Sequence, residues 1–257
     1  MTGFHTSRSG EVLEIVIDNP KANAIDAATS QALGKVFAAF NTDPALRVAI
    51  ITGAGDRFFC AGGDVAELDR AQGNVDYGPQ GFAGLTHFPA LSKPVIAAVN
   101  GICAGGGLEL ALACDMIVAS AGARFCLTET QIGTLPFLVT VQRLLRRMPV
   151  NIATEMLYTG RRMSAAEMQG TGLINHVVPH EDLRQHALYL AECVAASAPR
   201  SIATVRRAIT LIAGSDPIDA AALEALESDF ASVMASDDAN EGAAAFVEKR
   251  KPQWQGR

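Results

Sequence analysis

The sequence predicts an α/β fold with a helical C-terminal region, and three observations predict it. Short β-branched runs alternate with stretches of helical apolar spacing, which implies crossover units and largely parallel strand pairing. About half of the 257 residues are apolar, enough to bury a large core. Beyond Glu181 the pattern is helical almost to the end, so the division expected is an α/β core over residues 1–195 and a helical region over 196–257.

Each element rests on a local signal. Val12–Asp18 reads as a strand closed by the turn pair Asn19-Pro20. Asp26 caps a helix running to about Phe40, with Ala32, Leu33, Val36 and Phe40 at helical spacing. Arg47–Thr52, Lys93–Val99 and Met116–Ala119 read as buried strands. Leu173–Val178 reads as a last strand. Ser164 and Glu167 form a capping box, and Asp216-Pro217 opens a further helix. Ala71–Gly84, rich in glycine, reads as a mobile loop that either covers a ligand or merely connects elements at the surface.

The net charge is −6 and the basic residues are scattered, which argues against a nucleic-acid partner. No apolar run reaches the ~18–20 residues of a membrane span. The N-terminus lacks the pattern of a signal peptide, and five cysteines without a C-x-x-C pair read as buried reduced thiols. A cytoplasmic protein is expected. His176 and His180 are separated by Pro179, which argues against a shared metal-binding face, and no G-x-S-x-G elbow is present. No metal or separate cofactor is expected.

From Pro94 to Cys114, Glu109 is the only ionisable residue besides the thiols of Cys103 and Cys114. Desolvation penalises a buried carboxylate and raises its pKa, which suits a general acid or base near neutrality. A buried ion pair or an exposed stripe on the helix would explain the residue equally well. Gly105-Gly106-Gly107 precedes it between a strand and a helix start, where free N–H groups can hold an anion or an oxyanion. Arg57–Asp64 has the same character, with Gly62-Gly63 before a helix start. Two such turns could aim two N–H donors at one oxygen. Glu129 lies in a polar turn, Leu127–Gln131, and its local sequence reads as surface.

The run Lys93-Pro-Val-Ile-Ala-Ala-Val-Asn-Gly-Ile-Cys-Ala-Gly-Gly-Gly-Leu-Glu-Leu110 resembles the enoyl-CoA hydratase/isomerase (crotonase) signature, and Phe58-Phe-Cys-Ala-Gly-Gly-Asp64 resembles that family's first oxyanion-hole motif. The resemblance extends through Glu241–Arg250. Pro20–Asp26, Tyr77–Thr86 and Trp254–Arg257 look most like the carnitinyl-CoA dehydratase branch. It implies a crotonase-like ββα spiral core with a C-terminal helical trimerisation region, a homotrimer or dimer of trimers, and an acyl-CoA thioester as substrate, with coenzyme A part of that substrate.

Carried over by position, the resemblance implies that the N–H groups of Gly63 and Gly106 hold the thioester oxygen. Glu109 would handle the water and Glu129 the proton on the α carbon. Their spacing of 20 residues (129 − 109 = 20) matches the hydratases. Ala24 and Asp26 would lie along the adenine end of CoA, and Phe246 and Lys249 where the family's tail approaches it. The sequence departs from the family at Phe137-Leu-Val-Thr-Val141, which replaces a small glycine-rich run beside the acids. The expected consequence is a narrower acyl pocket, a tilted Glu129 or a different substrate. A trimethylammonium head would need aromatic faces or an acid, for which Tyr77, Phe82 and Phe137 are candidates. The function implied is a hydro-lyase at the α,β bond. Double-bond isomerisation by one glutamate, and a catalytically idle acyl-CoA-binding protein, are the alternatives.

Overall fold

The computed structural model describes residues 3–20, 22–71, 74–132, 135–212, 225, 228–229, 231–233 and 235–257. The expected helix start at Asp216-Pro217 lies outside the described residues.

Two sheets build the core. The larger is ordered β1-β2-β3-β5-β7-β10, with β1 (Phe4–Ser9), β2 (Val12–Ile17), β3 (Val48–Gly53), β5 (Val95–Val99), β7 (Met116–Ser120) and β10 (His176–Val178). Only the β1–β2 pair is antiparallel in it. The smaller is ordered β4-β6-β8-β9, with β4 (Phe58–Cys60), β6 (Ile102–Ala104), β8 (Arg124–Cys126) and β9 (Met163–Ser164).

The period-two rule of strands explains why the large sheet reads as continuous apolar runs. Ala49 and Ile51 of β3, Val95, Ala97 and Val99 of β5, and Ile117 and Ala119 of β7 face the main core. Their alternates Val48, Ile50, Ile96, Ala98 and Val118 face the other side, where α7 (Leu183–Ala195) covers them with Leu183, Ala187 and Ala191. Glu14 of β2 points to that second side and pairs with Arg184 of α7 through two bonds of 2.7 and 2.8 Å.

The chain winds in ββα turns, as the resemblance implies. A strand of the large sheet, a short strand of the small sheet and a helix follow one another: β3, β4 and α2 (Val65–Arg70), then β5, β6 and α3 (Gly106–Ala113). Successive turns stack tightly. Asn100, after β5, accepts from Gly53 N–H (3.1 Å) and donates to the carbonyls of Gly55 and Phe58 (2.8 and 3.1 Å). Asp26 caps α1 (Ala27–Thr42) by accepting from Thr29 N–H at 2.7 Å. The Ser164–Glu167 capping box opens α6 (Ala165–Gly170). α4 (Leu138–Arg147) and α5 (Val150–Thr159) connect β8 to β9, and α8 (Pro199–Ile212) and α9 (Asp237–Glu248) lie in the C-terminal region.

Two expectations are corrected. The last strand spans only His176–Val178, because Leu173 and Ile174 are buried by packing into the core rather than by strand pairing. The glycine-rich loop is not loose over its described part. Ser30 Oγ donates to Tyr77 O and Gln31 Nε2 to Asp76 O, both at 2.9 Å, and Gly84 packs so closely on α1 that a Cβ there would lie 2.1 Å from Gly34 N. Among the described residues no helix is long and apolar enough to cross a membrane.

Candidate active site

The small sheet sets the site. β4, β6 and β8 lie side by side in parallel, with Phe58 opposite Ile102 and Cys103 opposite Phe125. Whatever follows each strand is therefore brought into one row. After β4 comes Gly62-Gly63, after β6 comes Gly105-Gly106, and after β8 comes Glu129.

The glycines are required by contact. A Cβ on Gly62 would sit 2.9 Å from Gly106 N, and one on Gly107 would sit 2.0 Å from Cys60 O. Gly105, at φ 53°, occupies the left-handed region and ends at the start of α3. The N–H of Gly63 turns away from its bridge with Ile25, whose bonds use Gly62 O and Asp64 N instead. The N–H of Gly106 is in the first turn of α3, where helix geometry leaves it without an intrahelical acceptor. Among the described residues neither N–H meets a backbone acceptor, so both donors, on turns in contact through Gly62 and Gly106, are available to a bound group.

Glu109 projects from the first turn of α3 and is 3% exposed. Burial raises its pKa from 4.5 to about 7, against the opposing pull of the Phe137 N–H, the Thr140 hydroxyl and the Arg143 charge; the Glu129 charge adds to the rise. The Phe137 N–H donates to Glu109 Oε1 at 2.8 Å. The buried Thr140 hydroxyl lies beside the carboxyl without completing a full-geometry hydrogen bond. Arg143 Nη2 donates to Thr86 O at 3.0 Å, tying α4 to the loop that carries Tyr77.

Glu129 opens a short 3-10 turn, Glu129–Ile132. It is half-buried rather than the surface residue its local sequence suggests, because β8 delivers it to the row beside β6. Its Oε1 lies 3.1 Å from where a Cβ on Gly105 would be. Burial raises its pKa too, partly offset by backbone N–H groups at Thr128 and Glu129. Two carboxyl groups of raised pKa therefore flank the Gly105-Gly106 turn.

Ala24 and Asp26 lie on a turn bolted to the first glycine motif: Ile25 N–H donates to Gly62 O at 2.9 Å, and Asn23 Nδ2 to Phe58 O at 2.8 Å. Asp26 spends one carboxylate oxygen as the α1 cap, and the Ala24 carbonyl accepts from Asn19 Nδ2 at 2.8 Å. Lys249 is exposed beyond the end of α9 at φ 55°. No hydrogen bond or ion pair among the described residues joins it to the acids. The Phe246 side chain lies outside the described residues. Phe137 is placed in the site, with its N–H on Glu109 and its ring, 45% exposed, facing Tyr77.

Thr140 and Arg143 carry no local signal of a place in the site beyond their position in and just after Phe137–Val141. Two surface cavities, of 280 Å³ (bordered by Asn41, Lys93 and Arg200) and 300 Å³ (bordered by Gln31, Asp76 and Gln80), contain neither acid. The acid pair is the only one of these sites with paired proton-transfer groups beside free N–H donors.

A spiral of ββα turns with two N–H donors beside two carboxyl groups of raised pKa is an arrangement that can hold a developing oxyanion and move protons beside it. The enoyl-CoA hydratase/isomerase family profile matches residues 7–257, and the chain belongs to that family. It is 48% identical over 258 aligned positions to a carnitinyl-CoA dehydratase of Proteus mirabilis strain HI4320, covering 99% of this chain and 98% of the relative. It is 47% identical to the carnitinyl-CoA dehydratase of Escherichia coli K12 over the same shares. Its fold superposes on enoyl-CoA hydratase EchA1 from Mycobacterium marinum with a TM-score of 0.92 at 34% identity, covering 100% of both chains. An enoyl-CoA hydratase from Mycobacterium tuberculosis H37Rv gives 0.91 at 33%, again covering 100% of both. The protein is a hydro-lyase acting on acyl-CoA thioesters.

Proposed function

We propose that the protein interconverts a β-hydroxyacyl-CoA and its α,β-enoyl-CoA through Glu109 and Glu129, and that its preferred pair is carnitinyl-CoA and crotonobetainyl-CoA. The observation that carries the mechanism is the placement of both carboxyl groups around the Gly105-Gly106 turn, beside the free N–H of Gly63.

In the hydration direction, Glu109 takes a proton from water as the hydroxyl oxygen bonds to the β carbon. The C=C electron pair moves toward the thioester, whose oxygen gains charge held by the N–H groups of Gly63 and Gly106. Glu129 then delivers its proton to the α carbon. Dehydration runs the same steps backward. The Phe137 N–H fixes Glu109 Oε1 and leaves Oε2 for the water. A carboxyl group near pKa 7 both accepts and returns a proton at neutral pH.

Carnitinyl specificity is supported by the relatives at 47–48% identity. Ala24, Asp26, Phe246 and Lys249 are the residues read as meeting coenzyme A. The trimer or dimer of trimers is supported by Val205, Ile209 and Ile212 of α8, which are 55, 62 and 46% exposed and fall on one helical face within the C-terminal region. A cytoplasmic location is part of the same reading.

Turnover of crotonobetainyl-CoA and crotonyl-CoA, followed by loss of the enoyl absorbance and by deuterium entry at the α carbon, tests this. Net hydration of both, faster with the betainyl thioester, is expected. Deuterium exchange without net hydration would replace the hydro-lyase mechanism with double-bond isomerisation.

A further inference from the structure

Tyr77 stands at the oxyanion corner. Its hydroxyl lies 2.8 Å from where a Cβ on Gly63 would be, so the glycine at 63 makes the room that Tyr77 fills. Its ring meets Phe82 edge-on, with centroids 5.1 Å apart and planes at 85°. Phe82 is buried, and its edge packs against Gly106 closely enough to exclude a Cβ there, so it is the support behind Tyr77 rather than a surface for ligand. Tyr77 also meets Phe137, with centroids 6.4 Å apart and planes at 87°. Tyr77 is half-buried and Phe137 exposed, so these two rings form two walls of a right-angled corner beside Glu109.

Among the described residues, the charged groups that raise the Tyr77 phenol are carboxyls. Burial, then Glu67, Glu109 and Asp64, push its phenol up to about 12. Glu67 Oε2 accepts from Ala27 N–H at 2.8 Å, and Asp64 Oδ1 accepts from Glu67 N–H at 3.0 Å, which fixes both acids in place. The cation beside Glu109, Arg143, is on the α4 side and bonded to Thr86 O. Perpendicular aromatic faces in a field of carboxylates suit a weakly hydrated cation that cannot donate hydrogen bonds.

We propose that Tyr77 and Phe137, with Phe82 behind Tyr77, form the subsite that receives a quaternary ammonium group on the γ carbon of the acyl chain. This rests on the reading of the neighbouring acids and N–H groups as the acyl-thioester centre. Tyr77 is then the specificity-determining residue, and the bulk introduced at Phe137 is the second wall of the subsite.

Binding tests it without turnover. The saturated γ-trimethylammonio-butyryl thioester of CoA and its neutral tert-butyl isostere, in which carbon replaces the ammonium nitrogen, are titrated into the full-length protein by calorimetry. Wild type should bind the cation about 10-fold more tightly than the isostere. Tyr77→Phe, which keeps the ring, should keep most of that ratio, whereas Tyr77→Leu and Phe137→Leu should bring it close to 1. Equal affinity for both thioesters in wild type, or an undiminished ratio in Tyr77→Leu, would overturn the subsite. Crotonyl-CoA hydration by wild type, measured alongside, reports on the acid pair separately. Hydration with no charge preference in binding would remove the subsite and leave the catalytic reading intact.

Discussion

Replacing Glu109 by glutamine should make the protein more stable relative to wild type as pH rises, although it removes one of the two carboxyls of the site. Glu109 is 3% exposed and its carboxyl is raised from 4.5 to about 7, chiefly by burial. The folded protein therefore holds the proton more tightly than the unfolded chain does. The stability this gives is fully present below pH 4.5 and is lost as pH climbs through about 7. At about 1.4 kcal/mol per pH unit, the loss amounts to about 3 kcal/mol across that window. Glutamine does not titrate and keeps a carbonyl oxygen for the Phe137 N–H.

The difference in stability between Glu109→Gln and wild type should thus grow by about 3 kcal/mol from pH 4.5 to above pH 7. In a chain of this size that corresponds to a relative gain of about 6–10 °C in melting temperature. Glu129 is raised in the same direction and is retained in both proteins, so its own contribution largely cancels. Thermal melts of both proteins at matched concentration over pH 4.5–8 provide the assay. Parallel pH curves for the two would show that Glu109 is not desolvated as described.

Gly107→Ala should cost about 3 kcal/mol or more, read as a fall in melting temperature, because its Cβ would lie 2.0 Å from the Cys60 carbonyl oxygen and neither backbone can yield cheaply. In the native protein a thiol reagent such as Ellman's should label Cys193 quickly and leave Cys60, Cys103, Cys114 and Cys126 until unfolding. Those four are buried, and burial holds the Cys60 thiol up at about 12. Prompt labelling of several thiols in folded protein would contradict the packing of the small sheet.

The parts of the fold that were legible are those with long local signals. β3, β5 and β7 carry apolar runs because both faces of their sheet are covered, β2 departs from this only at Glu14, and Asp26 and the Ser164–Glu167 pair announce their helices by side-chain chemistry alone. The small sheet was not legible. Its strands are two or three residues long, too short to show a period, and its β4, β6 and β8 matter through their neighbours rather than their composition.

The same distinction divides the site. Glu109 stands out because a charge interrupts an apolar segment, and the paired glycine turns stand out by type. Glu129 sits in a polar turn, and only the non-local pairing of β8 with β6 buries it. Tyr77 is one of several candidate aromatics in the sequence, and only its contact with Gly63 places its hydroxyl beside the paired glycine turns. Phe137 is legible as added bulk beside the acids; the contacts that its position makes, its N–H on Glu109 and its ring against Tyr77, are not local in sequence.

Crotonyl-CoA hydration by Glu109→Gln, Glu129→Gln and the double variant probes the acid pair most directly. If both carboxyls serve one water and one enolate, each single change should lower kcat by about 10²–10⁴-fold, and the double change should cost little beyond the worse single. Losses that multiply, or one single variant retaining wild-type turnover, would mean that the two side chains do not operate as one device.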